Sequence, residues 1–397
     1  MTEAAPTPPE PLAPTQTRER ITTLDAIRGI AVLGILAMNA VSFGLEPAAY
    51  WNIGAGGIDT WLDWVIGGAG EIFVDQKFMG LFSMLFGAGI VLFFERARDK
   101  GRRAGWLSFW RNALLLGIGI LHMALWDGDV LLLYAICSVF LIALHRLDAR
   151  ALFALGGLAI LGAVALAIAI QPTVESATDL GQFWLPEAQM DQDAIDSSPF
   201  AEFGAPRVLG WFLADGFLRA LGMMLIGVAL YRTGVITGER SRNFYRRLAV
   251  WGFAIGLPLS IAGFTWMAAT DFSPDVAIVG TMPNTLATLP LALAYLSLIA
   301  LWNLRPQTTL HHRVHAAGRM ALTNYLTQTI IGVIVLRTLF DPDDLNRSWI
   351  LLFVVAVWVV QLAWSQPWLS LFRYGPFEWI WRCATYRSWQ PLRGGAA

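Results

Sequence analysis

The sequence predicts an all-α protein, a polytopic transmembrane helix bundle of about ten spans. Three observations predict it. Of 397 residues, 56% are hydrophobic and only 14% charged, against about 25% charged in soluble domains. Mean hydropathy is +0.54. The apolar residues gather into runs of about 20, the length that crosses some 30 Å of hydrocarbon. Many of the 18 Trp and 23 Phe flank those runs, among them Trp61, Trp64, Trp106, Trp110, Trp349 and Trp379, where a ring suits the headgroup layer.

Taken in order, residues 1–20 are rich in Pro, Ala and Thr and read as a disordered leader. The first apolar run, 24–44, is followed by no small-x-small cleavage site. It also contains Asn39 and Ser42, which are odd in a signal peptide, so it is expected to remain as the first span. Further spans are expected at 79–94, 106–125, 130–144, 151–170, 208–231, 248–269, 277–302, 320–340 and 349–372. Residues 61–73 form another helix, either interfacial or the start of one long tilted helix with the next span. The bundle thus covers 21–372, with an outer loop at 171–206. Residues 373–397 mix aromatic and basic side chains, as an amphipathic tail on the inner leaflet does.

Orientation follows from Arg and Lys, which concentrate on the cytoplasmic side. With the N-terminus inside, about 23 of the 28 basic residues face the cytoplasm. The loop 171–206 then lies outside, with seven acids and no Lys or Arg. Both termini are expected in the cytoplasm, and the membrane is expected to be the cytoplasmic (inner) membrane. The 2 Cys, Cys137 and Cys383, provide neither a disulfide framework nor a metal spacing. The expected partner is the lipid bilayer. No metal and no nucleic acid is expected.

Several polar constellations interrupt the apolar pattern. Asp25 and Arg28 open the first span at i, i+3, either as a local ion pair or with the guanidinium free to hold a phosphate bidentately. Arg111 and His122 lie near opposite ends of one span, followed by the turn Trp126-Asp127-Gly128-Asp129 and by Tyr134. His122 is read as the only His within a span; His145, His311, His312 and His315 are placed in cytoplasmic loops. An imidazole beside a carboxylate suits general-base or nucleophilic work, whereas Asp-Gly alone is a routine turn. Asp215 and Arg219 sit at i, i+4 in the sixth span, as a structural ion pair or a site. Arg319, Thr323 and Thr327 share one stripe of the ninth span, with Asn324 and Gln328 on a neighbouring one. Those polar groups need partners in hydrocarbon, through interhelical hydrogen bonds or through a ligand.

Together, five motifs in order resemble the bacterial YeiB-like membrane proteins, whose C-terminal half is a domain of unknown function. They are Leu24-Asp25-x-x-Arg28-Gly29 with Asn39 beyond, Leu81-Phe82-Ser83-x-Leu85-Phe86-Gly87, Arg111…His122…Gly128-Asp129, Gly318-Arg319-Met320-x-Leu322-Thr323-Asn324-Tyr325, and Gly375-Pro376-x-Glu378-Trp379. The resemblance runs over nearly the whole chain. It implies the fold of the transmembrane acyltransferase superfamily, whose members take acyl-CoA from the cytoplasm and acylate a sugar on the far side. One departure stands out. The loop 44–59 has no His where the heparan glucosaminide acetyltransferase places its catalytic one.

The expected function is therefore an acyltransferase moving an acyl group from cytoplasmic acyl-CoA to an acceptor such as a glycan at the outer face. His122 is the expected base or acyl carrier, with Asp127 or Asp129 orienting it. Arg28 and Arg319, with Arg96 and Arg98, are expected to hold the CoA phosphates. Asn324 and Gln328 are expected to donate to the thioester oxygen. The competing readings are a transporter or permease using Asp215, Arg219 and the polar ninth span, and a noncatalytic membrane scaffold.

Overall fold

The computed structural model describes residues 21–101, 103–186, 189–190, 201–341 and 344–393. The leader 1–20 and much of the outer loop's acidic stretch lie outside these. Among the described residues all regular structure is helical, apart from one isolated bridge between Phe372 and Arg393.

Eight elements are long and apolar enough to cross a membrane, and a bent pair makes a ninth. The chain is a multi-pass membrane protein. α1 (Thr22–Gly44), α2 (Pro47–Trp51), α3 (Trp61–Phe73), α4 (Lys77–Asp99), α5 (Ala104–Met123), α6 (Leu131–Leu144) and α7 (Ala149–Ile170) form the first half. α8 (Pro206–Arg232), α9 (Arg242–Ala269), α10 (Met282–Asn303), α11 (Thr309–Arg319), α12 (Ala321–Gly332), α13 (Arg347–Leu371) and α14 (Pro376–Tyr386) form the second. The short α6, about 21 Å long at 1.5 Å per residue, is the remaining apolar crossing element. Below, the near face is that of Thr22, and the far face that of Gly44.

α3 and α4 form one 39-residue element from Trp61 to Asp99, broken at Val74-Asp75-Gln76. Helix 61–73 is thus continuous in direction with the span after it. The break is local: Gln76 takes φ 62°, a left-handed conformation uncommon for a residue with a Cβ. α3 is fastened on the far face by Asp63, which is fully buried. Its two oxygens accept from the N–H and hydroxyl of both Thr60 and Ser348.

α4 and α8 pack closely enough for backbone contact. A Cβ on Gly87 would run into the Met224 carbonyl, and one on Gly227 into that of Met84. Small residues permit such approach where lipid supplies no hydrophobic drive between helices.

The expected span 320–340 is not a single straight helix. α11 and α12 meet at Met320 at 81°. Breaking a helix exposes amide N–H groups that need acceptors. Glu378 of α14 supplies them: its Oε1 accepts from Thr323 N at 3.0 Å and its Oε2 from the Thr323 hydroxyl at 2.5 Å. The same bend puts His311, His312 and His315 on a helix and not in a loop. His311 is buried and stacks on Trp302 with ring centroids 3.9 Å apart.

On the far face, the described part of the loop 171–206 folds into short 3-10 turns over the helix ends. Phe183, Trp184, Trp211 and Phe272 form its apolar core, and Trp184 Nε1 donates to the Phe272 carbonyl at 2.8 Å.

Candidate functional site

His122 lies in the last turn of α5. Its side chain is 3% exposed and faces the bundle, not lipid. The chain reverses directly after it: the His122 carbonyl accepts from Leu125 N and Trp126 N, closing the turn. Asp129 then starts α6, its Oδ2 accepting from Leu132 N at 2.9 Å in the manner of a helix cap. This leaves Oδ1 facing back to α5, 2.7 Å from His122 Nδ1. The approach needs Gly119, where a Cβ would meet Leu132 N at 2.6 Å and Asp129 Oδ2 at 3.0 Å.

The Asp129 carboxylate is fully enclosed. Tyr325 of α12 donates to Oδ1 at 3.3 Å, and its ring lies 5.1 Å from the imidazole. An acceptor at Nδ1 fixes the hydrogen there and leaves the lone pair on Nε2. Nε2 is buried and has no hydrogen-bond partner. The arrangement is an oriented imidazole with its basic nitrogen unused. Asp127, exposed in the same turn, takes no part in the pair.

About 16 Å along α5 toward the near face, eleven residues at 1.5 Å each, stands Arg111. Its guanidinium lies between Phe93 and Trp381, 4.3 Å from each ring centroid. Arg28 and Arg382 are close enough to repel its charge. α14 brings Arg382 there by docking on α5, with Trp381 Nε1 donating to the Arg111 carbonyl at 3.3 Å and Trp110 Nε1 to that of Ala384 at 3.0 Å. Arg28 pairs with Asp25 at 3.2 Å and its side chain stays 32% exposed. Three guanidinium groups so close suit an anion with several charges. Arg319 ends α11, whose Gly318 is pressed on the α1 backbone at Asp25. Arg96 and Arg98 end α4, and Arg98 is exposed and 3.8 Å from Asp99.

Asn324 and Gln328 do not present donors to a ligand. Asn324 Nδ2 donates to the Ala317 carbonyl and Ser365 Oγ, and Gln328 Nε2 to the Val32 carbonyl and Gln361 Oε1. An amide nitrogen has two hydrogens, so both are fully used in tying α12 to α11, α1 and α13. The expected hydrogen bonds to a thioester oxygen are replaced by interhelical ones.

A second polar group was not legible as a site in the sequence. At the α3–α4 break, Asp75 accepts from Tyr50 Oη at 3.1 Å and Asn284 Nδ2 at 2.9 Å. Lys77 is fully buried and donates to the Glu71 carbonyl and to Asn284 Oδ1. Burial, then the Asp75 and Glu71 carboxylates, push the Tyr50 hydroxyl well above its ordinary pKa, so it remains a donor. Tyr50, Glu71, Asp75 and Asn284 border a cavity of about 50 Å³. The Glu71…Asp75-Gln76-Lys77 run inside an apolar stretch was the available signal. A smaller apolar cavity of about 20 Å³ lies under Trp184 and Trp211, and neither cavity touches His122. Asp215 and Arg219 are paired at 3.0 Å, as their spacing suggested.

The comparisons with known proteins fit this chain from end to end. It is 34% identical to the uncharacterized protein YeiB of Escherichia coli K12, covering 94% of this chain and 98% of that one. This chain belongs to the YeiB family. The uncharacterized protein YxaH of Bacillus subtilis is 30% identical to it over 96% of this chain and 98% of its own. An uncharacterized 39.9 kDa protein from the amylase 3' region of Bacillus acidopullulyticus is 25% identical over 94% and 96%. Residues 230–388 match a family model described as a protein of unknown function, DUF418. No solved structure matches. In this YeiB family member the matched region 230–388 contributes Tyr325 and Arg382, while His122, Asp129 and Arg111 come from the half before it.

Proposed function

We propose that this YeiB family member is a membrane acyltransferase, with the near face in the cytoplasm. The observation that carries the reading is the buried His122–Asp129 pair at 2.7 Å with Nε2 left free. The donor is an acyl-CoA. Its phosphates bind at Arg111, Arg28 and Arg382, with Arg319 on the neighbouring helix, and its extended pantetheine arm reaches toward His122. The acceptor is a hydroxyl or amine at the far face.

The chemistry balances as a general-base transfer. Nε2 takes the acceptor proton as its oxygen or nitrogen attacks the thioester carbonyl. The C–S bond then breaks, and the imidazolium returns the proton to the leaving thiolate. Asp129 stabilises the imidazolium and holds the ring. Nε2 is enclosed, with the Trp126 and Tyr325 rings 6.1 and 5.1 Å from the imidazole, so substrates reach it only when an opening forms beside it.

The test is CoA binding and CoA release by purified protein in lipid nanodiscs. Saturable CoA binding that weakens in Arg111→Ala, with acyl transfer abolished in His122→Ala, supports the reading. A folded protein that binds neither CoA nor acetyl-CoA overturns it.

A further inference from the structure

The cavity at the α3–α4 break is lined by both acidic and basic side chains. Glu71, Asp75 and Gln76 contribute to its wall. Gln76 is 6% exposed, and its Oε1 is buried with no hydrogen-bond partner. Arg219 lines the same cavity and uses Nη1 on Asp215, while Nη2 is buried and unpartnered. Trp51, Phe264 and Met267 add apolar surface to the lining. Lys77 is not available to a ligand, since its ammonium holds the break together through the Glu71 carbonyl and Asn284.

Leaving a buried donor or acceptor unmade costs more than a typical hydrogen bond gains. Here one orphan acceptor and one orphan charged donor belong to residues that border the same space. A ligand that offers a donor to Gln76 and an acceptor to Arg219 satisfies both. A lone cation leaves Arg219 Nη2 unmade, and a lone anion leaves Gln76 Oε1 unmade. At roughly 10–15 Å³ per water-sized group, the cavity of about 50 Å³ takes three to five such groups. The upper end of that range is the heavy-atom count of glycine.

We infer that this cavity binds a small zwitterion, its ammonium on Gln76 Oε1 beside Asp75 and Glu71 and its carboxylate on Arg219 Nη2. The site is separate from His122 and does not depend on the acyl-transfer reading.

The experiment measures binding of radiolabelled glycine to the full chain in nanodiscs, with methylammonium and acetate as competitors. Wild type and His122→Ala are expected to bind glycine saturably and alike. Arg219→Gln and Gln76→Gly are expected to bind roughly 10- to 100-fold more weakly, the loss of one charge-assisted contact. Gly suits the left-handed position of residue 76, so that variant keeps the test open if Arg219→Gln does not fold. Methylammonium and acetate are expected to compete poorly, singly or together. Absence of saturable glycine binding by folded wild type overturns the inference. So does full competition by methylammonium alone, which marks a simple cation site, or unchanged affinity in both variants.

Discussion

Asp129 Oδ1 lies 2.7 Å from His122 Nδ1 while Asp129 Oδ2 caps α6. One carboxylate therefore fixes both the helix that follows the turn and the imidazole that precedes it. If acyl transfer runs on this pair, His122→Ala should lower turnover by about 10²-fold or more with CoA binding unchanged. Asp129→Asn should also lose activity, since an amide N–H facing Nδ1 reverses the tautomer and protonates Nε2. Single-turnover assays on protein that still elutes as a sharp gel-filtration peak decide it. Full activity in His122→Ala removes the base from this site.

Gly119 gives a subtler test of the same geometry. Gly119→Ala forces Leu132 and Asp129 away from α5, so activity should fall further than thermal stability does. Activity and melting temperature in parallel check this. A stable variant with wild-type turnover shows that the close approach is not needed.

Arg111 stacks between two rings, an arrangement that suits a planar guanidinium and not an ammonium. Arg111→Ala should weaken CoA binding by about 1.5–3 kcal/mol, the range for hydrogen bonds to charged groups, and Arg111→Lys should recover little of it. Isothermal titration reads both. Equal affinity in wild type and Arg111→Ala moves the phosphates elsewhere.

Glu378 links stability to pH. Its carboxyl is buried in α14, and burial raises its pKa although the Thr323 N–H and hydroxyl pull the other way. The folded state then holds the proton more tightly than the unfolded one. Stability from this group is full below the ordinary carboxylate range and falls as pH rises through the raised value. Melting curves should show that decline in wild type and less of it in Glu378→Gln, which keeps an acceptor for Thr323 N. Glu378→Ala should cost about 0.5–2 kcal/mol, as loss of a helix cap does.

Orientation is open to direct labelling. Glu175 and Gln307 are exposed on opposite faces. In a Cys383→Ser background, Glu175→Cys should react with an impermeant thiol reagent added to intact cells, and Gln307→Cys only after lysis. The reverse pattern would put the near face outside and remove the cytoplasmic donor from the proposal.

The sequence by itself determined the solvent. Apolar runs of spanning length, aromatic flanks and sorted basic residues depend on composition along the chain, and they mark most of the spans, though not the bend at Met320. It also held the i, i+4 pair Asp215–Arg219 and the ion pair of Asp25 with Arg28, because helix geometry makes such neighbours local. Only the tertiary structure decided which polar groups are spent and which are free. Asn324 and Gln328 resemble donors until Ser365, Gln361 and the α1 backbone take their hydrogens. Asp129, not Asp127, meets His122 because one of two carboxylates in a tight turn points back into the bundle. The bend at Met320 depends on Glu378, more than 50 residues later. The polar cavity gathers Tyr50, Asp75, Arg219 and Asn284 from four helices and loops. In a bilayer a buried polar group must find a partner wherever the fold places one, and a linear sequence does not record that distance.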